Sequence, residues 1–219
     1  MIGLNTIKWR LAQKLERLWW KRYLKDRSVE DYLNWKKKYW ISFLKEIDWG
    51  YVISKSDRLL DAGCGPAGIF TIFEDYDITA LDPLLEQYNK DLAHFNFTDY
   101  PSVSFKALPF ERFQNTALFD VVFCLNAINH FRDFKESILR LKQLVSPGGY
   151  LVLSIDVHNY SFLKYIFRML PGDALHPQQH TSEDYLNLLK DESFVVSKHH
   201  VKDRGFVFNY EVLVLKRLN

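Results

Sequence analysis

Residues 58–70 read RLLDAGCGPAGIF, a short apolar run of strand length followed at once by Gly63-x-Gly65-x-x-Gly68. Few features restrict a fold more. A strand that ends in glycines at this spacing turns tightly and brings backbone, rather than side chain, up to a ligand; such turns begin open α/β sheets. Asp82 closes the next strand-like run, 19 residues after Gly63, about where an acid meets the hydroxyls of a ribose.

The chain beyond Lys55-Ser56 keeps to that plan. Short apolar runs at 58–62, 77–81, 102–105, 119–125, 149–155, 194–200 and 206–216 read as strands, with helical segments in most gaps. The stretch 133–145 has helical periodicity and stops at Ser146-Pro147-Gly148-Gly149, where proline and glycine end a helix. The last two runs are separated by a few residues that include Asp203-Arg204-Gly205, too few for a parallel crossover, so they should pair as an antiparallel hairpin. The expected fold is therefore α/β, a doubly wound, mostly parallel seven-stranded sheet with an antiparallel C-terminal hairpin. Upstream, Ile7–Leu24 and Val29–Ile47 read as amphipathic helices, which suggests a helical cap at 1–50 ahead of a main domain at 51–219.

A chain of 219 residues with 47% hydrophobic content can bury a full core. Cys64 and Cys124 lie 60 residues apart without C-x-x-C spacing, so neither a disulfide framework nor a metal site is expected, and a cytoplasmic compartment is the default. The first thirty residues are studded with Lys and Arg where a signal peptide would be apolar. The net charge of +2 conceals an asymmetry: residues 1–50 hold 12 Lys and Arg against 6 Asp and Glu, the remainder 17 against 21. An acidic remainder argues against nucleic acid as a partner, while the basic first helix, with Leu18 and Trp19 beside Lys21 and Arg22, leaves a membrane-surface contact open.

The glycine turn alone suits a dinucleotide, yet Asp61 stands two residues before Gly63. A carboxylate there would confront a doubly negative pyrophosphate across a cleft of low dielectric. S-adenosylmethionine has no phosphate and carries a positive sulfonium and a positive α-ammonium, so the same acid becomes an attraction. The bland alternative is a strand-end Asp61 that only binds backbone amides.

The run DAGCGPAG resembles the first motif of the class I, Rossmann-like S-adenosylmethionine-dependent methyltransferases. ITALDP, FKALPF, FDVVFCLNAINHFRDF and LKQLVSPGGYLVLSI resemble that family's later blocks in the family's order, from about 58 to 156. The resemblance implies that Gly63, Cys64 and Gly65 touch the methionine moiety with Asp61 beside it, and that Asp82 accepts from both ribose hydroxyls. By the same token Pro83 and Leu84 border the adenine, Ala107 and Leu108 read its edge, and Asn126 and Ala127 lie near the sulfur. Tyr39, or Lys36 next to it in the aromatic second helix, would reach the cofactor carboxylate. The turn here reads Lys106-Ala107-Leu108, without the acid this family often carries there, which leaves the adenine amine without an obvious side-chain acceptor.

Ligands of open α/β sheets lie beyond the carboxyl ends of the strands, so the methyl acceptor is expected among the loops after the fourth and fifth strands. Histidine is a natural base for a hydroxyl or acidic carbon. His130 is the first candidate, with His176 and His180 behind it; His180 also precedes Thr181-Ser182-Glu183, which reads as a helix start. The expected activity is methyl transfer to an oxygen, nitrogen or carbon of a small molecule. The turn GCGPAG also resembles that of flavin enzymes, so a nucleotide- or flavin-dependent oxidoreductase is the competing reading, and a membrane-surface enzyme acting on a lipid or quinone is a third.

Overall fold

The computed structural model describes residues 4–158, 182–204 and 208–219. Among them one sheet contains seven strands: β1 Arg58–Ala62, β2 Asp77–Leu81, β3 Ser104–Lys106, β4 Phe119–Leu125, β5 Val145–His158, β6 Phe194–Arg204 and β7 Phe208–Arg217. Their order is β3-β2-β1-β4-β5-β7-β6, with β1 to β5 parallel and β7 antiparallel to both β5 and β6. The mixed edge and the terminal hairpin are those expected from the sequence.

The inner strands are largely apolar because both faces are covered, as parallel sheets require, with Asp61 in β1 and Asp120 in β4 among the exceptions. Alternation divides them between two layers. Leu59, Val121, Phe123 and Val152 face one core, while Leu60, Val122, Cys124, Leu151 and Leu153 face the other. Each fully buried side chain of this size contributes about 1.5–3 kcal/mol. Helix α2 (Val29–Ile47) closes the first core with Tyr32, Trp40, Phe43 and Ile47. Helices α4 (Phe134–Leu144) and α5 (Ser182–Leu189) close the second with Ile138, Leu141, Tyr185 and Leu189. Helices α1 (Leu4–Leu24) and α3 (Leu85–Asp91) flank the C-terminal ends of the strands nearest the glycine turn.

Three details differ from the sequence reading. No α-helix follows the glycine turn; Gly65–Ala67 and Ile69–Ile72 form two short 3-10 turns instead. Gly68 between them has extended backbone, and only a few residues separate it from β2, so a helix cannot be threaded through. Helix α2 packs where that helix would lie, against Ile69 and Phe70, and the Trp40 indole donates to the Ala67 carbonyl (3.1 Å). Strand β3 starts at Ser104 rather than 102, because Val103 N–H turns back onto the Tyr100 carbonyl. Strand β5 begins at Val145 and runs through Ser146-Pro147-Gly148-Gly149 by means of a register shift against β4, with Gly148 at φ +77°.

Candidate active site

Strand order reverses between β1 and β4, which pushes their outgoing chains to opposite sides and opens a crevice at their carboxyl ends. A cavity of about 520 Å³ occupies it. Its floor is the glycine turn, with Asp82 and Pro83 after β2 and Asn126, Ala127 and His130 after β4. Its roof comes from the first two helices: Trp9, Gln13, Glu16, Trp19 and Trp20 of α1, and Lys36, Tyr39 and Trp40 of α2.

At two of its glycines the floor leaves no space for a side chain. A Cβ at Gly63 (φ +79°) would fall 2.3 Å from the Ala127 Cβ, and one at Gly68 would fall 2.4 Å from Asp61 Oδ2. The amides of this turn are engaged inside the protein. Gly63 and Cys64 both donate to the Leu81 carbonyl (2.7 and 3.1 Å), Gly65 donates to Asp82 Oδ2 (3.1 Å), and Phe70 donates to Asp61 Oδ2 (3.2 Å). A phosphate site is made from free N–H donors. These four donors are all taken.

Asp61 is 1% exposed and lies beneath the turn, off the cavity wall, so its observed partners are backbone amides rather than the ligand space. Burial pushes its carboxyl up to about 7, against the pull of the Phe70 amide and the Lys36 ammonium. Lys36 does line the cavity. Burial lowers its ammonium to about 8, with Asp61 opposing, and the charge rests over the rings of Trp40 (4.6 Å) and Tyr39 (5.0 Å). Asp82 is buried at the wall, raised to about 6 by desolvation. Its Oδ1 accepts from Leu84 N (2.8 Å), so each carboxylate oxygen keeps a lone pair beyond the one given to an amide.

The roof carries a second acid. Burial, and then the Asp82 charge, raise Glu16 to about 8, and it receives the Tyr88 hydroxyl at 3.4 Å. Its Oε2 lies 3.7 Å from His130 Nδ1, while the Trp9 indole donates to the His130 carbonyl (3.0 Å). Gln13, one turn before Glu16, is 8% exposed, and its Oε1 has no hydrogen-bond partner. A buried amide oxygen in that state costs about 1–3 kcal/mol. Arg17 fastens this stretch of α1 to Asp91 of α3.

Of the residues expected from the sequence, Gly63, Cys64, Gly65, Asp82, Pro83, Asn126, Ala127, His130 and Tyr39 line the cavity. Asn126 does so in left-handed backbone (φ +54°), its amide held by Ser154. Leu84 is buried behind the wall. Ala107 and Leu108 are also off it: Leu108 N–H folds back to the Lys106 carbonyl, so Pro109, Phe110 and Glu111 reach the cavity in their place. His176 and His180 lie outside the described residues. Both cysteines are buried, and burial holds their thiols well above the ordinary value, so they are unreactive fillers. Trp9, Gln13 and Glu16 were not anticipated. One signal existed: Glu16 is the lone acid of α1 among six Lys and Arg, an odd choice for a solvated basic helix.

A reversed parallel sheet with its crevice over a spent-amide glycine turn defines a Rossmann-like fold of the methyltransferase type. The chain belongs to the methyltransferase domain family, which matches residues 10–196. Over 160 residues it is 26% identical to a ubiquinone biosynthesis O-methyltransferase of Rickettsia typhi, covering 69% of this chain and 64% of that protein. The match thus spans just under two thirds of that relative. The N-methyltransferase NodS of Bradyrhizobium japonicum in complex with S-adenosyl-L-homocysteine superposes with a TM-score of 0.61 at 14% identity, over 90% of this chain and 91% of that one. Magnesium protoporphyrin IX methyltransferase of Synechocystis, with the same product bound, gives 0.57 at 18% identity over 94% of both. Among the described residues no helix is long and apolar enough to cross a membrane.

Proposed function

We propose that this chain is an S-adenosylmethionine-dependent methyltransferase that acts on an oxygen, nitrogen or carbon of a small molecule. One observation carries the reading: the glycine turn has its N–H groups at Gly63, Cys64 and Gly65 bonded internally, next to a wall that offers the Asp82 carboxylate. Such a floor repels pyrophosphate and accepts a guest with hydroxyls and positive centres. That, together with family membership, favours methyl transfer over the oxidoreductase alternative.

When bound, S-adenosylmethionine supplies a methyl group on positive sulfur, already activated for in-line displacement. The protein's share is placement. Asp82 takes the ribose hydroxyls with its remaining lone pairs. Lys36, charged below about pH 8 and held over Tyr39 and Trp40, attracts the cofactor carboxylate. Around the acceptor, Phe131, Trp9 and the α1 roof exclude water. His130 is placed to receive the acceptor's proton as the new bond forms, with Glu16 3.7 Å from its Nδ1 and able to steady the imidazolium above about pH 8, where its carboxyl is charged. His176 and His180 stand as further candidates for this role. Residues 1–50 act as a cap over 51–219, roofing the cavity.

Calorimetric titration with S-adenosylhomocysteine tests the reading. Binding in the micromolar range is expected, weakened about 30-fold in Asp82→Asn through loss of about 2 kcal/mol of charge-assisted hydrogen bonding. No binding at millimolar ligand, or tighter binding of NAD, rejects it. A contact with an anionic membrane surface is a second reading, favoured by Leu11 (52%) and Leu18 (53%), exposed on α1 beside exposed Lys14 and Arg22. Flotation with phosphatidylglycerol vesicles should carry the protein upward in low salt; protein left at the bottom of the gradient excludes this contact.

A further inference from the structure

Helix α1 crosses the cavity from the cofactor floor to the acceptor loop, and its inward side chains mark the way. The Trp20 ring lies over the glycine turn, 3.8 Å from where a Cβ at Gly65 would stand. Glu16 comes next, within the field of Asp82 and 3.7 Å from His130 Nδ1. Trp9, at the far end, donates to the His130 carbonyl (3.0 Å). Gln13 is on this face between Glu16 and Trp9, three residues from one and four from the other, so it belongs to the half of the roof above the His130 loop.

Two features of that half ask for the same guest. Gln13 is 8% exposed, lines the cavity, and its Oε1 lacks a partner; a buried acceptor in a ligand cavity is completed by a donor that arrives with the ligand. A neutral hydroxyl would meet that need alone, but the surroundings are acidic. Glu16, Glu111 and Asp156 line the cavity too, and Glu111 is fastened to the same loop through the amides of Arg132 and Asp133. Among the described residues Lys36 is the one Lys or Arg on the cavity wall, and it lies on α2 over Tyr39 and Trp40. Trp9, Phe110 and Phe131 add aromatic rings, the last two stacked with centroids 4.9 Å apart, and ring faces attract a cation. Burial and the Asp82 charge hold the Glu16 carboxyl up at about 8, a cost that a cation relieves and a neutral guest does not.

We propose that the methyl acceptor carries an amino group, bound as its ammonium: Gln13 Oε1 and the Glu16 carboxylate accept its N–H groups above the His130 loop. The proposal rests on the S-adenosylmethionine reading above and adds to it a class of acceptor, molecules that bear an amine rather than wholly neutral or anionic ones. The amino group orients the acceptor, whichever of its atoms is methylated.

The experiment saturates the full chain with S-adenosylhomocysteine and titrates it calorimetrically with phenethylamine, 2-phenylethanol and 3-phenylpropionate, which share one ring and differ in the group they present. The amine should bind about 10-fold or more tighter than the alcohol, and the carboxylate weakest of the three. Titration at pH 7 in buffers of different ionisation enthalpy should show a proton released as the amine binds, because its charge draws the Glu16 carboxyl down from about 8. Glu16→Gln should abolish that release and bring amine and alcohol within about 2-fold, and Gln13→Leu should weaken the amine about 10-fold. Equal binding of amine and alcohol by wild type, tighter binding of the carboxylate, or no binding of any of the three at millimolar concentration overturns the proposal without any substitution. A Gln13→Leu variant that loses S-adenosylhomocysteine 10-fold overturns it too, since the pair then serves the cofactor's own ammonium. If S-adenosylhomocysteine does not bind wild type, the cofactor reading itself has failed, and the acceptor proposal with it.

Discussion

The floor and roof of the cavity are built by opposite means. On the floor, backbone meets backbone: Gly63 lies against Ala127, Gly68 against Asp61, and the amides are tied to Leu81 and Asp82. On the roof, long side chains reach inward from one helix, with Glu16 near His130 and Trp9 bonded to its carbonyl. A floor of this kind tolerates almost no change in shape. The roof tolerates changes in shape, and its state depends on protonation.

The contrast breaks first, if it breaks, at Gly63. An Ala there combines left-handed strain with a 2.3 Å clash, and a loss of about 3 kcal/mol is expected, or roughly 9 °C in Tm. A thermal scan that shows a fall under 3 °C means that the floor yields and the two walls are not so different. His130 joins floor to roof. His130→Gln should lower kcat about 100-fold on a hydroxyl acceptor while leaving S-adenosylhomocysteine affinity within 2-fold; equal losses in both would make it a structural part of the floor. The smallest effect belongs to Glu16. Its carboxyl is raised from 4.5 to about 8, so the folded state binds more protons than the unfolded between those values, and stability falls as pH rises through them. Glu16→Gln should remove that slope and raise Tm at pH 9 by about 3 °C, on the order of 1 kcal/mol. Parallel Tm curves for the two proteins from pH 5 to 9 would place the acid in solvent and sharpen the contrast no further.

The same division explains what could be read in advance. The floor is made of three short segments that each follow a strand end, and its backbone and steric demands leave glycines at Gly63, Gly65 and Gly68 and an acid at Asp82, marks that can be read locally. The strands were legible because burial on both faces makes them largely apolar. For Asp61 the sequence left two roles open, a charge facing the ligand or an acceptor of backbone amides, and only the folded chain shows the Phe70 N–H that it accepts. Ala107 and Leu108 were misplaced because a one-residue turn at Lys106 decides which backbone meets the cavity, and nothing local marks it. Gln13 and Glu16 escaped because their meaning arises across more than sixty residues, where α1 crosses α3 and the loop after β4. Helical periodicity reports an inward face, not what it will touch.

Trp40 has a bearing on how the molecule comes apart. Its indole is hydrogen-bonded to the peptide between the two 3-10 turns, and the helix that carries it completes the core over β1 and β4. Residues 29–47 are thereby a missing piece of the sheet's own covering, delivered from upstream. Unfolding should then be cooperative, a single melting transition in which the leading helix pair and the sheet dissolve together. Limited proteolysis between 48 and 57 would not release a stable core, since trimming the front of the chain would strip the glycine turn of the scaffold that holds it in shape.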